Sequence, residues 1–137
     1  MLKRILSVIA GAIVAVGVIF ACEAASSALY PCAPGTNFKD PEAVKAIMAA
    51  MPMGAWLTVL AGYAIGCFAG GLVASLVSGR ETPRASLLVG VIVTIGGIMN
   101  TVELPGQPVW IIVVSFLIYI PFALMGHLVV RKKRTVI

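Results

Sequence analysis

Charge is scarce in this chain. Only 11% of its 137 residues are Asp, Glu, Lys or Arg, against 61% hydrophobic residues and a mean hydropathy of +1.08. An ordinary water-soluble domain carries roughly 25% charged residues, so this composition excludes one. Histidine is rarer still, with His127 alone. The three cysteines, Cys22, Cys32 and Cys67, lack the paired spacing of a disulfide framework or a zinc motif. No nucleophile and base stand at a recognisable spacing, so the sequence implies neither an enzyme nor a cofactor nor a bound metal.

The charge that is present is mostly basic, giving a formal net charge of +5. In a soluble protein that excess would suggest nucleic acid. Here eight of the ten basic residues, Lys3, Arg4, Arg80, Arg84, Arg131, Lys132, Lys133 and Arg134, flank apolar runs. Residues so placed set membrane topology and meet anionic headgroups, so the partner they imply is the lipid bilayer, not nucleic acid.

Four apolar runs, 5–24, 55–77, 85–102 and 109–130, are long enough to cross about 30 Å of hydrocarbon. Backbone in lipid must satisfy its own hydrogen bonds, which makes each run a helix. The expected fold is an all-α membrane protein, a single four-transmembrane-helix bundle over residues 1–137. The N-terminus, the loop Arg80–Arg84 and the tail Arg131–Arg134 hold eight cations and one acid. The opposite side holds Lys39 and Lys45 with Glu23, Asp40, Glu42 and Glu103. This bias puts both termini in the cytoplasm. The first run exceeds the roughly 7–15 apolar residues of a signal-peptide core, so it is expected to stay as a span.

The one long loop starts with turn residues, Tyr30-Pro31-Cys32-Ala33-Pro34-Gly35, and continues into Asp40-Pro41-Glu42. A carboxylate N-cap followed by proline at the first helical position predicts a short extracytoplasmic helix over 41–51. Val44, Ile47, Met48 and Met51 recur on one face, so this helix should be amphipathic and lie on the membrane or cap the bundle.

In the second span, Gly54, Thr58, Gly62, Gly66, Gly70, Ala74 and Ser78 occupy every fourth position. Such a stripe lets backbones approach closely, within one chain or between copies, and Ser7, Gly11 and Ala15 make the first span a plausible mate. No internal repeat relates the two halves, so an inverted-repeat transporter is not indicated.

Polar groups recur at one depth. Glu23 follows Arg4, and Glu103 follows Arg84, by nineteen residues each, or about 28 Å of helix. Ser27 stands four residues beyond Glu23, and Asn100 lies one turn before Glu103. Ionisable groups at the hydrocarbon edge suggest proton, cation or amine binding if the helices converge, and interfacial solvation if they do not. His127, Trp56, Trp110 and Tyr30 read as interfacial residues, and Pro121 as a kink. Met48, Met51 and Met53 with Cys22 and Cys32 offer ligands suited to Cu(I), although the methionines already fit an apolar face. Cys22 and Cys32 could also pair in an oxidising compartment.

The combination of Glu23, Tyr30-Pro31, Pro34-Gly35, Asp40-Pro41-Glu42-Ala43-Val44, Gly54-Ala55, Gly66, Gly70-Gly71, Asn100, Pro105, Pro108 and Trp110 resembles a family of small uncharacterised bacterial four-span proteins. The resemblance implies a bacterial inner-membrane location and no specific activity. Similar sequences carry histidines where Ser27 and Gln107 stand here, so it carries over no carboxylate and histidine metal site. Small multidrug transporters place a glutamate within the first helix, whereas 5–21 has no ionisable residue here. The leading expectation is a protein that works by helix association, as a homo-oligomer or a subunit of a membrane complex. The alternative is a small transporter or channel using Glu23, Ser27, Asn100 and Glu103.

Overall fold

The computed structural model describes residues 2–30, 39–79, 83–103 and 106–131. It contains five helices: α1 (Leu2–Leu29), α2 (Pro41–Ala50), α3 (Met53–Ser78), α4 (Arg84–Glu103) and α5 (Val109–Val130). All but α2 are long and apolar enough to cross a membrane, and the chain is a multi-pass integral membrane protein. The helix α1 is 28 residues long, and α3 is 26. Both outrun the apolar stretches read from the sequence, because hydropathy marks where the hydrocarbon ends while alanine-rich or capped ends let the backbone stay helical beyond it.

The ends have local causes. Asp40 is the N-cap of α2: its carboxylate accepts from the Glu42 amide at 3.1 Å, and Pro41 occupies the first turn, where no N–H is needed. Met51 and Pro52 are extended, which separates α2 from α3. Gly79 closes α3 in the left-handed region at φ 101°, donating its N–H to the Ser75 carbonyl. Helix α5 continues through Pro121, which is exposed. The turn residues 31–35, Cys32 with its proposed pairing, Arg80 to Thr82, Pro105 and the basic residues after Arg131 lie outside the described residues.

Helix α3 is central and packs against α1, α4 and α5. Helices α1 and α5 pack on different faces of it, with α4 touching both. The core is built of small and medium residues, among them Ala15, Cys67, Ala74, Val89 and Ala123, all without exposure. The largest aliphatic side chains point outward: Ile13, Phe20, Leu117 and Val129 are each about two-thirds exposed. In water that apolar exterior would be an aggregation surface; in a bilayer it is the solvated face. Val44 turns α2 inward, and Met48 and Met51 pack against the core.

Candidate functional site

The small-residue stripe of α3 faces α1. A Cβ on Gly70 would stand 2.6 Å from the Gly11 carbonyl oxygen and 2.7 Å from Ala15 Cβ, and a Cβ on Gly11 would stand 2.6 Å from the Gly70 carbonyl oxygen. Gly66 lies equally close to Ala15 and Ile19, Gly62 to Cys22, and Gly54 to the Tyr30 hydroxyl. Ala74 is fully buried beside Gly11. Thr58 and Ser78 bond within α3, to the Gly54 and Ser75 carbonyls. On another face of α3, Gly71 abuts the Ala123 carbonyl, and Gly126 of α5 abuts the Phe68 carbonyl. Both close approaches use only this chain.

Two side-chain hydrogen bonds join helices among the described residues. The Ser86 hydroxyl donates to the Gly71 carbonyl at 2.6 Å, tying α4 to α3. Ser75 Oγ and His127 Nδ1 are 2.7 Å apart and buried, tying α3 to α5. Both lie in the half remote from α2. The interfacial role expected of His127 gives way to a buried one because Ser75 supplies the partner that an imidazole in a core requires. Trp56 likewise differs from expectation, being 6% exposed because α3 is surrounded by other helices.

In the α2 half the packing opens. Helices α1 and α4 meet where Gly11 lies against Val89 and are separated farther along by a cavity of about 390 Å³. Glu23 of α1 and Asn100 and Glu103 of α4 line this one cavity, with Tyr63 of α3 and Tyr119 of α5. Its remaining wall is largely apolar, including Val16, Ile19, Phe20, Ile92 and Val93. The tyrosine rings meet edge to face, their centroids 5.5 Å apart. Ser27 is exposed and is not part of the lining. Among the described residues no hydrogen bond or ion pair engages Glu23, Asn100 or Glu103; Lys45 pairs with Glu42 on α2.

The tyrosines were not among the residues singled out by sequence. Each follows the start of its helix by ten residues, Met53 to Tyr63 and Val109 to Tyr119, so both arrive at a common depth. A tyrosine deep in an apolar span needs somewhere for its hydroxyl, and that requirement was the available sign. Met48 and Met51 are engaged with the core, and Met53 is 58% exposed. The chemistry of this cavity is that of oxygen acceptors and aromatic faces within an apolar wall, a set suited to an ammonium or other organic cation. No family model, curated protein or solved structure matches this chain.

Proposed function

We propose that this integral membrane protein is a small inner-membrane carrier whose cavity binds an organic cation or amine, with both termini cytoplasmic and the cavity in the extracytoplasmic half. The observation that carries this reading is the convergence of Glu23, Asn100 and Glu103, from two helices, with Tyr63 and Tyr119 on one cavity. A carboxylate at the hydrocarbon edge is costly alone, and an ammonium offsets that cost through charge-assisted hydrogen bonds. The aromatic faces add attraction for a cation of low hydration. The cavity volume falls within the roughly 300–1,000 Å³ of small-molecule sites.

Helix association between copies, or with other membrane subunits, is the competing reading. Its main support was the α3 stripe, and that stripe is occupied by α1 of the same chain. The test is uptake of a permanently charged probe, tetramethylammonium, and of ethanolamine into proteoliposomes. Uptake by the wild type that falls at least about tenfold in Glu23→Gln, with the helix content unchanged, supports a carrier in which that carboxylate binds. No uptake of either probe, or equal uptake by the variant, overturns it.

A further inference from the structure

The cavity is open on its side. Its mouth lies between α1 and α4, and the residues that frame it also form the apolar exterior: Phe20 is 65% exposed, Met99 59%, and Val16 and Ile92 about 40%. Toward the far end the opening is closed by the contact of Gly11 with Val89. Polarity along the cavity is graded. Glu23, Asn100 and Glu103 stand toward the α2 end, and the wall running away from them, through Ile19 and Val16 on one side and Val93 and Ile92 on the other, is apolar. Tyr63 belongs with the polar end, because its neighbour Gly62 packs against Cys22, the residue before Glu23. Tyr63 is 8% exposed, lines the cavity, and among the described residues its hydroxyl has no hydrogen-bond partner.

A wall of that grading matches a molecule already aligned as membrane lipids are, with its charged head at the boundary and its chain at depth. We infer that the ligand is an amine-headed amphiphile, which enters sideways from the surrounding leaflet between α1 and α4. This rests on the cation-binding reading above and adds to it the chemical class of the ligand and its route. The ammonium head meets the Glu23 carboxylate and the Tyr63 hydroxyl, and the chain lies against Val16 and Ile92. A ligand arriving from water would have to cross apolar wall for no gain. One that partitions into the bilayer first arrives at the mouth concentrated and oriented.

Gly96 supplies a clean test. It lines the cavity, and a Cβ added there would meet nothing within 4 Å, so a side chain can start from this position into open space beside the mouth. Binding of dodecylamine, dodecanol and butylamine to the full chain in phosphatidylcholine nanodiscs is measured by native mass spectrometry, with amphiphile concentrations referred to the lipid phase. Dodecylamine is expected to bind, and Gly96→Phe to weaken it at least about tenfold while the thermal midpoint does not fall; Glu23→Gln should weaken it comparably. Butylamine binding as tightly as dodecylamine, and equally to Gly96→Phe, overturns lateral entry and leaves a water-accessible cation site. Dodecanol binding as well as dodecylamine overturns the amine head and the cation-binding reading with it. Failure of all three ligands to bind overturns both.

Discussion

Replacing Gly70 by alanine tests the seam between α1 and α3. The added methyl group would sit 2.6 Å from the Gly11 carbonyl oxygen, a backbone atom that cannot rotate away, and 2.7 Å from Ala15 Cβ. Ordinary contact begins at 3.4 Å, so α1 must withdraw by about 0.8 Å. A radial gap of roughly 0.5–1 Å forfeits a quarter to a half of each dispersion contact. Along this seam the loss is shared by the contacts of Gly66 with Ala15 and Ile19 and of Gly62 with Cys22. Overpacking of this kind costs about 1–3 kcal/mol, a factor of roughly 5–150 in the folded-to-unfolded ratio. The measurement is reversible unfolding from mixed micelles by increasing dodecyl sulfate, followed by circular dichroism. Gly17→Ala is the control: a Cβ at Gly17 meets nothing within 4 Å, and alanine exceeds glycine in helix propensity by up to about 1 kcal/mol. The expected order is Gly17→Ala at or above wild type and Gly70→Ala well below. Wild-type stability in Gly70→Ala would refute the close apposition of α1 and α3.

Two further perturbations address other parts of the molecule. Ser75→Val leaves the buried His127 Nδ1 without its partner and should cost about 1–3 kcal/mol, whereas Ser75→Val combined with His127→Phe should recover part of that loss; additive losses in the same unfolding assay would show that the pair does not interact. Asp40→Ala removes the side-chain acceptor for the Glu42 amide and should weaken α2 by roughly 0.5–2 kcal/mol. Faster hydrogen exchange confined to α2 is the expected sign, and unchanged exchange there would rule out the cap.

Much of the architecture was legible because the membrane simplifies the problem. Runs of apolar residues such as 109–130 have one acceptable backbone conformation in hydrocarbon, and Asp40-Pro41 announces a helix start chemically. The equal nineteen-residue offsets put Glu23 and Glu103 at one depth, which length alone can deliver. Which helices adjoin is another matter. That α1 lies beside α4, so that Glu23 and Asn100 share a cavity, depends on azimuthal packing around α3, and a linear pattern carries no such angle. The same limit hid the Ser75 and His127 pair, whose members are 52 positions apart. Ser26 and Ser27 illustrate it within one turn: Ser26 is buried and Ser27 exposed, a choice made by the neighbours of α1 and not by residue type.

The two interhelical hydrogen bonds have a mechanical corollary. They fasten α3 to α4 and α5, and among the described residues none fastens α1. Helix α1 is held by steric apposition along the length of α3, from Gly11 against Gly70, through Ala15 against Gly66, to Cys22 against Gly62. The helix that lines one side of the cavity is thus the one attached without a polar tie, and its attachment depends on the facing positions of α3 staying small.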